Sequence, residues 1–327
     1  MSAVTNDAVI KKAAKVYQAE FGINRIYAHV LAVKNVTGKL PLGPSHAIAH
    51  KAKPFIKWVG GKRQLLKQFK ELGLYPPDGF DPVRHRYFEP FVGGGAVFFD
   101  LEPEKAYLSD SNAELVTTYK VIRDDVGSLI KSLKKHRYEE KYYYKVRAQD
   151  PVSLSDVEVA SRFIFLNRAG FNGMYRVNKS GKFNIPFGRH SNPLICDVEN
   201  LRKVSETLQH TEIKVADYKK VLRYAQKGDF IYLDPPYYPV SKTASFTAYT
   251  AEEFLEKEQI ELRDTFLELH KRGCFVMLSN SDTPFINKIY TEIKDRKINI
   301  HKIKAGRMIN SDASKRGKIN EVLVTNY

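Results

Sequence analysis

The stretch "RYFEPFVGGGAVFF", residues 86–99, sets one apolar run against three consecutive glycines and then a second apolar run. The first run reads as a strand and the second as the start of a helix. Glycines between them allow a tight turn and a close approach of backbone to a ligand. Working outward, "KAYLSD" (105–110) reads as a second strand that ends in an acid, and "DFIYLDPPY" (229–237) and "GCFVMLSN" (273–280) as further strands. Between the last two lies "AEEFLEKEQIELRDTFLELHKRG" (251–273), an amphipathic helix closed by Gly273. Strands alternating with helices predict an α/β fold with a mostly parallel sheet and right-handed crossovers.

Two places on that sheet carry chemistry. Asp110 stands seventeen residues beyond Gly93, at the end of the second strand. An acid so placed is where a ribose diol is usually gripped, so the pair points to a nucleoside-type ligand. The full G-x-G-x-x-G fingerprint is absent, which leaves dinucleotides as an option and moves weight toward S-adenosylmethionine. Asp110 also suits the N-cap of a helix over "SNAELVTTYK", and the two roles are compatible. The second place is "YLDPPYYP" (232–239). Proline fixes φ and removes a backbone donor, so the strand stops there with Asp234 and Tyr237 at its carboxyl end. Ligands bind at that edge of an open α/β sheet, although a Pro-Pro turn with an exposed acid accounts for the motif equally well by itself. "KWVGGKRQLL" (57–66) is not a phosphate loop, because Ile56 stands where its first glycine is needed and Arg63 follows Lys62.

The 327 residues include 53 Lys and Arg against 37 Asp and Glu, a formal charge of +16 that suits a polyanion such as nucleic acid. Cys196 and Cys274 are the only cysteines, far apart, which speaks against a disulfide framework or a thiolate metal site, and no metal is expected. No apolar run reaches transmembrane length and the N-terminus lacks a secretory core, so the expectation is a cytoplasmic protein with no membrane partner.

Residues 1–53 read as short helical segments and a connector of unassigned role, and 54–115 as the first part of the sheet domain. Residues 116–210 interrupt the strand–helix rhythm and 211–327 resume it. The interruption is rich in Tyr, Arg and Lys and contains "FLNRAGFNGMYRVNKSGKFNIPFGRH" (165–190), a hairpin turning at Asn178–Gly181. Basic and aromatic residues around a hairpin suit phosphate contact and base stacking, or else an ordinary helical insertion with a solvated basic face.

"PFIKWVGGKRQLL", "FEPFVGGGAVFF", "YLSDSN", "NRAGFNGMYRVNKSGKFNIPFGRH" and "YLDPPYYPVSKTASFTAYT" follow one another in that order. Together they closely resemble the DNA adenine methyltransferases of the Dam type (class alpha, D12), from about residue 54 to the end. The resemblance implies a Rossmann-like S-adenosylmethionine-dependent sheet with an inserted, mostly helical target-recognition domain over 116–210. It implies cofactor contacts at Trp58, Lys62, Glu89, Pro90, Phe91, Gly93, Gly95, Asp110 and Asp234. It implies catalysis by Asp234, Pro235, Pro236 and Tyr237, and DNA contacts at Lys57, Phe171, Asn172, Met174, Arg176, Pro186 and Arg189. Phe171 replaces a more usual tyrosine, and His190 stands where some members carry tyrosine. The implied partner is double-stranded DNA, methylated at GATC by base flipping. The implied setting is a bacterial or phage-infected cytoplasm near the nucleoid, and the implied state a monomer in solution that can load more than one copy on DNA.

Asp-Pro-Pro-Tyr fits this chemistry. An adenine amino group is a poor nucleophile until both N–H groups donate to fixed acceptors. Asp234 and the Pro235 carbonyl supply two, and Tyr237 supplies a face for a flipped base. A catalytically silent DNA-binding protein and a methyltransferase acting on RNA or protein are the competing readings. The intact motifs oppose the first and the long basic insert opposes the second.

Overall fold

The computed structural model describes residues 51–58, 60–178, 180–240, 254–306 and 318–327. The expectation for the N-terminal extension therefore lies, apart from 51–53, outside the described residues, as does all of "SKTASFTAYT" (241–250).

Among the described residues seven strands form one sheet: β1 (Tyr87–Glu89), β2 (Ala106–Asp110), β3 (Thr211–Val215), β4 (Phe230–Leu233), β5 (Phe275–Ser281), β6 (Asn299–Gly306) and β7 (Lys318–Thr325). Their order is β3-β2-β1-β4-β5-β7-β6. β1 pairs in parallel with β2 and β4, β2 with β3, and β4 with β5, while β7 runs against both β5 and β6. This is the mostly parallel sheet that the alternation predicts, and it is compatible with the Rossmann-like one that the resemblance implies. The central strands β1 and β4 are buried at every position. Strands covered on both faces need no polar alternation, which is why "FIYL" is a continuous apolar run. The chain leaves β1 toward β2 on one side and β4 toward β5 on the other. That reversal opens a crevice at the carboxyl ends of β1 and β4.

The helices are α1 (Arg63–Glu71), α2 (Ala96–Leu101), α3 (Ala113–Leu133), α4 (Glu140–Arg147), α5 (Asp156–Ala169), α6 (Val198–Thr207), α7 (Glu256–Lys271) and α8 (Pro284–Thr291). Gly273, at φ +76°, ends α7 in the expected way: its N–H bonds the His270 carbonyl and the Cys274 N–H bonds that of Leu269. Helix α3 is capped by Asn112, which accepts from the Leu115 N–H, and not by Asp110. Asp110 is thereby free for the glycine turn.

The boundary expected at 115/116 falls inside α3, which packs on β2 and β3 as well as on α5 and α6. Helix α5 is buried nearly all round. Its Ala160, Phe163 and Ile164 belong to the main core, and its Phe165, Leu166 and Ala169 join Tyr143, Val146, Phe183 and Ile185 in a smaller core under the hairpin. The insert is thus tied to the sheet by a shared helix.

Candidate active site and nucleic-acid surface

Strand β4 stops at Leu233, and Asp234 sits at its carboxyl end in the crevice. Lys62, immediately before α1, is 3% exposed and places its Nζ 2.8 Å from Asp234 Oδ1. The same ammonium donates to the Gly60 carbonyl at 2.5 Å and lies 4.9 Å from the centre of the Tyr237 ring. The ion pair is close but poorly directed, so Oδ1 is buried without a well-formed hydrogen bond. A buried acceptor in that state is costly unless a further donor arrives. Burial pushes the Asp234 carboxyl up to about 6, against the pull of Lys62. The Pro235 carbonyl accepts no hydrogen bond among the described residues.

Glu89, at the end of β1, points inward. Its Oε2 accepts from the Tyr87 hydroxyl at 2.8 Å and from the Phe98 N–H at 3.1 Å, which fixes the entry to α2. Burial pushes its carboxyl up to about 8, with nearby Asp234 adding to the rise. At neutral pH Glu89 is mostly protonated, and its visible task is to hold the turn.

Beyond Glu89 and Pro90, which is also buried, Gly93 and Gly95 adopt φ of +45° and +66°. A Cβ on Gly93 would come within 2.6 Å of the Trp58 indole, and one on Gly95 within 2.7 Å of the Tyr119 hydroxyl. Both positions therefore need glycine twice over, for φ and for space. Asp110 Oδ2 accepts the Gly93 N–H at 3.1 Å and Oδ1 the Asn112 N–H at 3.0 Å. Burial raises this carboxyl, opposed by those backbone donors. Trp58 is half-buried and stacks on Tyr175 at 5.8 Å, so the segment before Lys62 is anchored to the insert. Phe91 stacks on Tyr218 at 5.2 Å. Sequence reasoning missed Tyr218, whose buried hydroxyl has no partner among the described residues; only the strand order reveals that residues after β3 face the glycine turn.

The hairpin is present. Isolated bridges pair Gly170 with Phe187 and Val177 with Phe183, and the Gly181 N–H closes the turn on the Asn178 carbonyl at 2.9 Å. Arg176 donates through Nε to Asn184 Oδ1 on the facing arm at 2.8 Å, which holds the guanidinium plane while its terminal nitrogens have no partner among the described residues. Lys57 is exposed, and its backbone is clamped by Asn167: the Lys57 N–H donates to Oδ1 at 2.9 Å and Nδ2 donates to the Lys57 carbonyl at 2.8 Å. Asn167 Nδ2 also reaches the Gly173 carbonyl at 2.8 Å. Lys57 and the start of the hairpin are therefore one unit. Phe171 is 52% exposed, Asn172 is exposed at φ +55°, and Pro186 is exposed. Met174 packs in part on the insert's core. Arg189 is exposed and stands 3.7 Å from Glu140. His190 bonds the Gly170 carbonyl at 3.1 Å.

Two tyrosines of the basic-aromatic run face inward. Tyr138 donates to the Gly188 carbonyl and Tyr143 to the Ile185 carbonyl, each at 3.0 Å, so they brace the hairpin from behind and are not bases' stacking partners. The physical reason is that a two-stranded hairpin is marginal alone and needs packing on one side. Among the described residues no cluster of His, Cys, Asp and Glu is placed to hold a metal ion, and no helix is long and apolar enough to cross a membrane.

The profile of the D12 class N6 adenine-specific DNA methyltransferases matches residues 58–309. The type II methyltransferase M1.LlaDCHI of Lactococcus lactis subsp. cremoris is 44% identical over 283 residues, covering 84% of this chain and 95% of that protein. The type II methyltransferase M.MjaIII of Methanocaldococcus jannaschii is 42% identical over 293 residues, covering 84% and 99%. The DNA adenine methylase of Escherichia coli K12 is 32% identical over 277 residues, covering 84% and 95%.

Proposed function

The chain belongs to the D12 class of N6 adenine-specific DNA methyltransferases, and we propose that it methylates the adenine of GATC, flipped out of the duplex, with S-adenosylmethionine as donor. The observation that carries this reading is the pair of acceptors at the end of β4: the buried Asp234 Oδ1, poorly hydrogen-bonded although Lys62 Nζ is 2.8 Å away, beside a Pro235 carbonyl that accepts no hydrogen bond among the described residues.

The residues fit the donor. The left-handed turn at Gly93, with Trp58 packed on it and Asp110 beneath it, is a cradle that a Cβ would fill. Trp58, Lys62, Phe91, Gly93, Gly95, Asp110 and Asp234 would hold the cofactor, with Glu89 and Pro90 shaping the turn. S-adenosylmethionine supplies an electrophilic methyl on a positively charged sulfur. The chain's task is then alignment. Asp234 and the Pro235 carbonyl accept the two N–H groups of the adenine amine, which localises the nitrogen lone pair. Asp234 takes the departing proton, and its midpoint of about 6 keeps it an acceptor at neutral pH. The Tyr237 ring, held between Lys62 and Glu321, offers its face to the base.

The insert serves as the target-recognition domain. Arg176, fixed by Asn184, suits bidentate readout of a guanine in the major groove, and Lys57 suits a guanine beside the flipped adenine. Met174 and Pro186 suit a thymine methyl, Phe171 the gap in the stack, and Asn172 and Arg189 the strand beside it. The partner is double-stranded DNA, and the chain is a monomer in solution that can load more than one copy on it. Sequencing the methylated adenines after expression in a host that lacks the modification tests the assignment. Methylation confined to GATC supports it, and methylation at sites sharing no GATC core refutes it.

A further inference from the structure

Asp-Pro-Pro-Tyr is rigid in itself, yet a rigid loop still has to be aimed. Behind it lie two amide side chains that no local motif marks. Gln259 on α7 and Asn280 on β5 are both 0% exposed. Gln259 Nε2 donates to the Pro236 carbonyl at 3.0 Å, and its Oε1 accepts from Asn280 Nδ2 at 2.8 Å. Asn280 Oδ1 accepts the Tyr238 N–H at 3.2 Å and the Ser281 N–H at 2.9 Å. Ser281 completes the frame by donating its hydroxyl to the Tyr238 carbonyl at 2.7 Å.

We propose that Gln259 and Asn280 are positioning residues for methyl transfer, a buried amide pair that fixes the carbonyl directions of the Asp234–Tyr238 loop. The inference rests on the reading of Asp234 and Pro235 as the acceptors. The loop follows β4 with no strand partner, and the prolines remove two N–H groups from those available to anchor it. Its remaining backbone groups at Pro236 and Tyr238 go to this pair and to Ser281. The Pro236 carbonyl, held by Gln259, sets the orientation of the adjoining peptide planes. It thereby sets where the neighbouring Pro235 carbonyl points. Both amides have each oxygen and nitrogen engaged, and a buried polar network is most restrictive when fully satisfied. Neither side chain needs to touch substrate.

The test uses the full chain, duplex DNA and saturating S-adenosylmethionine in single-turnover experiments across pH. Gln259→Met keeps the length but loses donor and acceptor. Gln259→Glu keeps an acceptor for Asn280 but turns an oxygen toward the Pro236 carbonyl. Both variants are expected to lose about 10–100-fold in the transfer rate, with DNA and cofactor affinities within about threefold of the parent. A carboxyl in that buried place is pushed up in pKa, and once protonated its O–H restores the missing donor. The rate of Gln259→Glu relative to the parent therefore climbs as pH falls from about 9 to about 6.5, while that of Gln259→Met stays flat. A purely structural role would lower thermal stability and leave the per-molecule rate of folded Gln259→Met at the parental value; that result overturns the proposal, as does a flat relative profile for Gln259→Glu. Asp234→Ala is measured alongside. Parental turnover in that variant removes the reading of the acceptors themselves, whereas its inactivity together with parental rates in both Gln259 variants removes only the positioning role.

Discussion

Lys62→Met is the substitution whose effect the geometry specifies most closely. Methionine keeps the length of the buried stem and deletes the charge 2.8 Å from Asp234 Oδ1. Asp234 already titrates at about 6, because burial raises it and Lys62 restrains the rise. An opposite charge at close range lowers a carboxyl by about 1–3 pH units, so losing Lys62 moves the midpoint to about 7–9. Asp234 can take up the departing proton of the amine only when it is itself deprotonated, so the rate rises with pH through that midpoint. At pH 7 the parent is about nine-tenths ionised, and a variant with a midpoint near 8 about one-tenth. The expected loss is about tenfold, or about 1.4 kcal/mol, shrinking to about twofold near pH 8. Single-turnover transfer with saturating cofactor, measured from about pH 5 to about pH 9.5, reads the midpoint directly. A Lys62→Met profile that overlays the parent's, scaled or not, refutes the claim that Lys62 sets the charge state of Asp234.

The Tyr237 hydroxyl donates to Glu321 Oε2 at 2.7 Å, so Tyr237→Phe deprives a half-buried carboxylate of that donor and should cost about 1 kcal/mol in thermal or denaturant unfolding. Tyr237→Ala should lose the stacking face as well and weaken base capture, read by the fluorescence of a 2-aminopurine at the target; equal base capture in both variants contradicts a stacking role. DNA affinity measured against salt should fall with a log–log slope near −5 if about six phosphates are neutralised, and a slope near zero contradicts a phosphate-tracking insert. Arg176→Ala should cost about 1–3 kcal/mol at one base position and little elsewhere, and uniform weakening across sequences would show that it contacts phosphate instead.

Much of the frame is written locally. Three glycines after an apolar run determine the left-handed turn at Gly93 and Gly95, because other residues resist that φ. Two prolines end β4 at Leu233 because they cannot continue a ladder. Gly273 closes α7 for the same kind of reason, and the alternation of runs determines a mostly parallel sheet. Those features depend on one residue and its immediate neighbours, so the chain order suffices to read them. The antiparallel β7, the edge strand β3 and the cap at Asn112 were not legible in this way. A strand's own residues do not tell whether it runs with or against its neighbours, as for the eight-residue β7. The five-residue β3 at the sheet edge is largely exposed and carries a weak pattern. Asp110 and Asn112 compete for one helix start with similar chemistry.

The site's partnerships belong to the tertiary structure. Glu321 reaches Tyr237 across 84 residues because β7 inserts beside β5, and Asn167 clamps Lys57 across 110 because α5 is shared by two cores. Gln259 and Asn280 look like an ordinary helix polar residue and an ordinary strand end until the pairing of β4 with β5 and the packing of α7 on β5 bring them under the loop. Tyr138 and Tyr143, which composition alone offers to DNA, turn inward because the hairpin carbonyls at Gly188 and Ile185 need donors. Residue type fixes what a side chain can donate or accept. Strand order and burial decide which partner it meets, and burial decides at what pH, as the displaced carboxyls of Asp234 and Glu89 record.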